Sequence, residues 1–288
     1  MKIVLTLLVR DEIDVISDNL KYHLAEGVDH IIVTDNGSQD GTKEILEQYQ
    51  ASGQITLIHE PPADFSQHRW VTRMARHAYD RFHADWVINA DADELFVWPH
   101  GSLRDALERI PAKVHRLRAL RTDFVPFNRP ESQSALREMI YRKTKSLGRL
   151  GRALPPKIMH RGAADVIISQ GNHRAESGQF RGRPQVGEIA VFHYPVRNYA
   201  QFESKVRNGG SGYAQNRELP VGTGGHKRRW YDLLIRNELE NEYLSEIFFD
   251  NEHLAAALAT GELTIDKTVA ERLDRVASTN VNAAATGR

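Results

Sequence analysis

The first 98 residues alternate between short apolar runs and segments whose apolar residues recur at helical spacing. Ile3–Val9 is an apolar run, as expected of a central parallel strand that is covered on both faces. Ile16, Leu20 and Leu24 then recur at every fourth position, which predicts one apolar helix face. Further strands are predicted at 30–34, 55–58 and 85–90, with helices between them. This alternation predicts βαβ units and therefore an α/β fold, a mainly parallel sheet flanked by helices.

The rest of the chain is less regular until its last sixty residues. Residues 208–225 are rich in glycine, which predicts a mobile loop. From about Arg228 onward the pattern is helical and acidic. We therefore expect a catalytic domain at 1–225 and a C-terminal helical extension at 226–288 that packs on it.

The composition of the chain excludes several classes of site and partner but does not by itself indicate a function. The 288 residues include no cysteine, which excludes disulfides, thiolate metal sites and a cysteine nucleophile. Lys+Arg and Asp+Glu are both 38, so no net charge draws the molecule to nucleic acid. The apolar start runs into Arg10 without a small-residue cleavage site, and no run reaches the roughly 18 apolar residues of a membrane span. We expect a cytoplasmic protein.

Carboxylates follow three of the four predicted strands. They lie in Arg10–Glu12, at Asp35, and in Asp91–Glu94. In open α/β sheets, ligands bind beyond the carboxyl ends of the strands. Asp35 could accept hydrogen bonds from a base or a ribose, or it could cap the following turn. Glu12 could equally be a charge at a helix N-terminus.

The pair Asp91-Ala92-Asp93 is the most informative of these segments. Two carboxylates at i and i+2 point to the same side if the strand geometry continues. Such a pair is costly unless a cation is shared or one carboxyl stays protonated. Mg²⁺ and Mn²⁺ bind such oxygens, usually together with substrate phosphates. The pair therefore favours a metal-bridged diphosphate, the alternative being a solvated acidic turn.

Several segments together resemble family 2 glycosyltransferases of the GT-A fold, and in particular a bacterial subgroup with the pattern VRDE…DNGSxDGT…DxDEF. The early segments are Leu8–Glu12, Gly27–His30, Thr34–Thr42 and Asn89–Phe96. The later ones are Gly171–His173, His193–Arg197 and Phe202–Lys205. The resemblance implies a Rossmann-like GT-A fold and a metal-dependent, inverting transfer of a sugar. It implies a UDP- or GDP-sugar as donor and a saccharide or lipid-linked saccharide as acceptor.

The resemblance also implies which residues hold the donor. Glu12 and Asp35 would contact the nucleoside base, with Arg10 in the same group. Asp91 would face the ribose or the metal, and Lys205 could reach the diphosphate.

For the metal, the resemblance implies a site for Mn²⁺ or Mg²⁺ at the same strand end. Asp93 would bind the metal and the diphosphate, with Asp91 beside it. His193 follows the predicted strand 189–192 and matches the place of a further metal ligand. A structural histidine at a strand end is the alternative interpretation.

The catalytic base departs from the family pattern, because no Glu-Asp dipeptide occurs anywhere in the chain. Inverting transfer needs a carboxylate or an imidazole near the acceptor hydroxyl. Glu176 and His173 are the preferred candidates, with Asp165 and Glu188 as others. The missing dipeptide keeps open a non-catalytic nucleotide- or carbohydrate-binding protein, and another Mg²⁺-dependent phosphate enzyme is a further alternative.

A basic segment bears on the acceptor. Residues 137–161 contain eight Lys or Arg and one acid. They could meet an acidic acceptor or a membrane surface, which would place the protein at the inner face of the membrane, or they could simply form a solvated face.

Overall fold

The computed structural model describes residues 1–61, 67–128, 134–148, 151–215 and 225–286. Its strands are β1 (Ile3–Val9), β2 (His30–Asp35), β3 (Ile55–His59), β4 (Trp86–Asp91), β5 (Glu94–Val97), β6 (Arg116–Asp123), β7 (Tyr141–Lys143), β8 (Lys157–Arg161), β9 (Ile167–Ile168), β10 (Ala175–Glu176), β11 (Gln185–His193) and β12 (Leu263–Ile265). Its helices are α1 (Ile16–Ala25), α2 (Thr42–Ala51), α3 (Gln67–Phe82), α4 (Leu103–Glu108), α5 (Ala135–Glu138), α6 (Tyr199–Gln215), α7 (Gly225–Ile235), α8 (Leu239–Glu246), α9 (Asn251–Ala259) and α10 (Thr268–Thr286). A short 3₁₀ turn covers Gln170–Asn172.

Eight of these strands form one mixed, mostly parallel sheet in the order β3-β2-β1-β4-β8-β6-β11-β5. The neighbours from β3 to β4 run parallel, as do β6 and β11. Strands β8 and β5 run antiparallel to the strands beside them. The predicted α/β fold is confirmed. Of its antiparallel strands, β8 comes from the middle of the chain, where no regular pattern was visible, and β5 follows β4 directly.

The sheet is buried because alternate residues of its central strand face two apolar layers. Ile3, Leu5 and Leu7 of β1 share one cluster with apolar residues of α1, α2 and α4. Val4 faces the opposite side and packs with residues of α3. This follows from the two-residue period of a strand, and it explains why β1 is apolar almost throughout.

The turn between β4 and β5 corrects one expectation. Asp91 ends β4 and Glu94 begins β5, but Ala92 and Asp93 form a turn, so the extended geometry expected from Asp91 to Asp93 is wrong. The buried Asn19 amide of α1 explains the turn, because its nitrogen donates to the carbonyls of Ala92 at 2.8 Å and Glu94 at 3.1 Å. Beyond the turn, β5 pairs with β11 at the far edge of the sheet.

The glycine-rich segment is partly helical. Helix α6 continues to Gln215, so the loop predicted for 208–225 is wrong for its first residues, and 216–224 lie outside the described residues. Packing of α6 against α7 explains why the weak helix propensity of glycine does not end the helix there. No helix within the described ranges is long and apolar enough to cross a membrane.

We predict that Gly162→Ala destabilises the fold. A Cβ at Gly162 would lie 2.0 Å from the Ala84 carbonyl oxygen, and backbone there must shift to admit it. Overpacking of this kind costs about 2 kcal/mol, or about 4–8 °C in Tm. Gly209→Ala is the control, since its Cβ meets nothing within 4 Å. Thermal unfolding at equal temperatures for Gly162→Ala and wild type would contradict the prediction.

Candidate active site

The parallel strands bring the predicted carboxylates to one edge of the sheet. Asp35 at the end of β2 is the register partner of Val9 in β1. Asp91 at the end of β4 is the register partner of Leu8. The chain segments that follow β1, β2 and β4 therefore meet at the edge where α/β sheets bind ligands.

Asp91 is neutralised by a buried lysine that sequence reasoning missed. The Lys157 ammonium lies 2.6 Å from Asp91 Oδ2 and 2.9 Å from Glu94 Oε2, and the Lys157 side chain is 1% exposed. Although burial acts in the opposite direction, Lys157 keeps the pKa of Asp91 below its ordinary value. Burial raises the pKa of Glu94, which is completely buried. One ammonium thus serves two carboxylates inside the fold.

Two amides hold the other oxygen of Asp91. Gln67 at the start of α3 donates to Asp91 Oδ1 at 3.1 Å, and Asn172 donates to it at 3.3 Å. Asn172 is buried and has a φ of +60°, a left-handed conformation that asparagine tolerates better than most residues. Neither amide was predicted as a partner of Asp91, although Asn172 lies in the quoted segment Gly171–His173.

Asp93 belongs to a second cation-paired group. The Lys205 ammonium lies 2.5 Å from Asp93 Oδ2, and His193 Nε2 lies 3.7 Å from the same oxygen. The other ring nitrogen of His193, Nδ1, lies 2.7 Å from Asp123 Oδ1. Burial acts in the opposite direction, but Lys205 and then His193 hold the pKa of Asp93 well below its ordinary value. The structure therefore brings together Asp93, His193 and Lys205.

Arg197 ties the segment after β11 to the segment after β1. Its buried guanidinium donates to Glu12 at 2.5 Å and to both oxygens of Asp14 at 2.6 and 2.9 Å. Burial raises the pKa of Glu12 to about 7, although Arg197 and Lys205 lower it. Arg197 lies in the quoted segment His193–Arg197, so the motif was visible although the role of the arginine was not.

Asp35 and Arg10 occupy the places expected of them but have local partners. Asp35 Oδ1 accepts hydrogen bonds from the Ser38 hydroxyl at 2.6 Å and the Ser38 backbone amide at 3.2 Å, which is the turn role considered from the sequence. Asp35 Oδ2 lies 3.7 Å from the His59 ring. Arg10 lies 3.8 Å from its neighbour Asp11.

The two candidate bases lie in different surroundings. His173 Nδ1 lies 3.0 Å from the Pro156 carbonyl oxygen, and because that oxygen only accepts, Nδ1 carries the proton. Burial lowers the pKa of His173, and Lys157 and Asp91 are among the charges that affect it. Glu176 is exposed in β10, which pairs with β9. Among the described contacts, none joins Glu176 to Asp91.

The donor set fits a divalent cation only in part. Within the described ranges, no group of three or more His, Asp or Glu could hold a metal ion. Asp93 and His193 still offer a carboxylate oxygen and an imidazole nitrogen, and Mg²⁺-type sites commonly use one or two carboxylates and take their remaining ligands from phosphates and water. The Asp123 contact orients the His193 ring, as partners of metal-bound histidines do.

Comparison with known proteins gives a family match. The model described as glycosyltransferase family 92 matches residues 7–168, more than half of the chain. The family 2 assignment predicted from the motifs is not confirmed, whereas a glycosyltransferase is supported. No curated protein sequence matches the chain.

Two solved structures are among those similar to this chain. A crystal structure of S. aureus TarS 1–349 has 15% identity and a TM-score of 0.41, covering 85% of this chain and 73% of that one. Glucosyl-3-phosphoglycerate synthase from Mycobacterium tuberculosis, in complex with Mn²⁺, uridine diphosphate and phosphoglyceric acid, has 15% identity and a TM-score of 0.41. The match covers 77% of this chain and 80% of the synthase chain.

We predict that Lys157→Met strongly destabilises the protein. The change leaves Asp91 and Glu94 without their shared cation, and an uncompensated buried charge costs about 3–5 kcal/mol. Adding Glu94→Gln removes one orphaned carboxylate and is expected to restore part of the loss. Urea unfolding measures both effects, with the exposed Lys113→Met as the control. Full stability of Lys157→Met would show that the ion pairs do not hold this edge of the sheet.

Proposed function

The chain belongs to glycosyltransferase family 92, and we propose that it transfers a sugar from a UDP- or GDP-linked donor to a hydroxyl group. The acceptor would be a saccharide or a lipid-linked saccharide. The transfer would invert the configuration at the sugar carbon that is attacked. The observation that carries the proposal is the group of Asp91, Asp93 and His193 beside two lysines at the carboxyl edge of the sheet. Paired carboxylates and ammonium groups at that edge suit a diphosphate together with a cation.

The nucleoside would lie against the segments after β1 and β2. Asp35 uses Oδ1 to hold its own turn, so Oδ2 is the oxygen that could accept from a base or a ribose. Glu12 is held in place by Arg197, and Arg10 lies two positions before Glu12 in the chain. Asp91 and Lys205 would then face the ribose and the diphosphate.

A divalent cation, Mn²⁺ or Mg²⁺, would be held by Asp93 and His193 with Asp91 beside them. When bound, it would neutralise the charge that develops on the departing nucleoside diphosphate. The orientation of His193 by Asp123 supports this role, because it leaves Nε2 directed towards Asp93. Lys157 would keep Asp91 ionised through the same step.

His173 is the better candidate for the catalytic base. Its protonated Nδ1 is committed to the Pro156 carbonyl, so Nε2 has the lone pair that can take the acceptor proton. As that proton moves, the acceptor oxygen forms its bond to the sugar carbon and the bond to the diphosphate breaks, with oxocarbenium character in the transition state. The pKa lowered by burial keeps the imidazole neutral and ready at neutral pH.

We propose the same division of the chain as before, a catalytic domain at 1–225 and an extension at 226–288. A packed extension is supported by two shared hydrophobic clusters, one that contains Leu239 of α8 and Phe202 of α6 and one that contains Leu273 of α10 and Val15. Contact with a membrane stays a prediction. Within the basic segment, Arg137 and Arg142 pair with acids and Lys157 is buried, which weakens the case for a basic surface there.

The first test asks whether the protein turns over a nucleotide sugar. We expect it to release nucleoside diphosphate from a member of a UDP- and GDP-sugar panel with Mn²⁺, and to lose this activity on treatment with EDTA. Asp93→Asn should lower the rate about 100-fold, because a group that stabilises developing charge is lost. Asp232→Asn, an exposed carboxylate of α7, is the control. Nucleotide binding without release would favour the non-catalytic alternative.

The second test concerns the base. His173→Ala should lower kcat by about 10²–10⁴-fold, the range typical of general-base catalysis, with little change in the donor KM. In the wild type, the acidic limb of the kcat profile should lie below the ordinary histidine value of 6.5, because an imidazole of lowered pKa loses its proton at lower pH.

Gly171 offers a test that retains the histidine. A Cβ at Gly171 would lie 2.6 Å from His173 Nε2, so Gly171→Ala should displace the ring and lower kcat while donor binding persists. Glu176→Gln should have a much smaller effect than His173→Ala. The reverse order of these two variants would assign the base to Glu176.

A further inference from the structure

The two lysines beside the Asp-x-Asp pair differ in how firmly the fold holds them. Lys157 is 1% exposed and is shared by Asp91 and Glu94, so its ammonium is a permanent part of the interior. Lys205 is 38% exposed. Its ammonium contacts Asp93 Oδ2 at 2.5 Å and the Pro195 carbonyl at 3.2 Å. The free-energy cost of separating the ammonium from its carboxylate is therefore lower for Lys205 than for Lys157.

The oxygen that Lys205 occupies is also the oxygen that faces His193. His193 Nε2 lies 3.7 Å from Asp93 Oδ2, and Asp123 fixes the ring from the other side. A carboxylate oxygen and an imidazole nitrogen at this separation can share one divalent cation. An ammonium 2.5 Å from that oxygen would repel such a cation strongly in a partly buried site.

We propose that Lys205 and a divalent cation compete for Asp93, and that Lys205 exchanges Asp93 for the donor diphosphate when the cation binds. The second half rests on the proposed function, because it needs a diphosphate in the site. The flexible four-carbon stem of lysine allows the ammonium to move while its backbone stays in α6. Phosphate oxygens that complete the shell of a hard cation give the displaced ammonium a new partner nearby.

The exchange makes cation and nucleotide binding cooperative. A cation that binds alone must displace Lys205 without a new partner for the ammonium, whereas with a diphosphate present the ammonium is paired again. By linkage, each ligand then tightens the other by the same factor. Lys205 is thereby a positioning residue that couples the two ligands.

The experiment measures Mn²⁺ affinity by electron paramagnetic resonance, with and without UDP or GDP. In wild type we expect weak binding of Mn²⁺ alone and at least about tenfold tighter binding with the nucleotide, equivalent to about 1.4 kcal/mol. Lys205→Met removes the competing charge but keeps the stem. It should bind Mn²⁺ alone at least about tenfold more tightly than wild type does, with a smaller gain from the nucleotide.

Three further variants sharpen the result. Arg207→Met removes a charge two residues along α6, where Arg207 is 63% exposed and paired with Glu203, and it should behave as wild type. Asp93→Asn added to Lys205→Met should abolish the gain, which locates it at Asp93. Lys205→Gln, which keeps a neutral donor, replaces Lys205→Met if the latter does not fold.

Unchanged Mn²⁺ affinity in both Lys205 variants would overturn the proposal, as would the absence of Mn²⁺ binding in all proteins. Nucleotide binding measured separately in EDTA distinguishes failure of the Lys205 proposal from failure of the proposed function. If neither nucleotide binds under any condition the proposed function fails, while tighter Mn²⁺ binding by Lys205→Met would still support competition at Asp93.

Discussion

The arrangement of the candidate site depends on the cost of burying carboxylates at the end of a sheet. Asp91, Asp93 and Glu94 lie within four consecutive positions, and Glu94 is completely buried. Like charges so close together are unfavourable unless cations accompany them. The fold supplies those cations from distant parts of the chain, Lys157 from β8 and Lys205 from α6. Charge compensation therefore links the fold to the site.

This requirement also explains why the middle of the chain enters the sheet. Strand β8 lies between β4 and β6, and this place carries Lys157 to the end of β4, where Asp91 is. Strand β11 is the parallel neighbour of β6 with His193 opposite Asp123 in register, so the imidazole and its carboxylate partner are positioned by strand pairing. The inserted strands bring to the site the groups that the N-terminal βαβ units lack.

The sequence predicted the structure best where the pattern of apolar and polar residues lies within a single segment. The parallel strands β1 to β4 and the carboxylates Asp35, Asp91 and Asp93 could be predicted, because apolar runs and strand ends are visible in single segments. Lys157 could not be recognised, since one lysine in a basic segment looks the same whether it is solvated or buried. Asn19 and Asn172 were missed for a similar reason. Their roles come from distant contacts with the β4–β5 turn and with Asp91.

A strained backbone position and an unpaired polar atom near Asp91 lower the stability of the fold at the candidate site. Asn172 has a left-handed backbone, and its Oδ1 is buried with no hydrogen-bond partner among the described residues. Such a group costs free energy, and strain of this kind tends to accumulate at functional sites. The same turn carries Gly171 and His173, so it fixes both an amide on Asp91 and the imidazole proposed as base. A loop selected for stability alone would have no reason to hold both groups in this way.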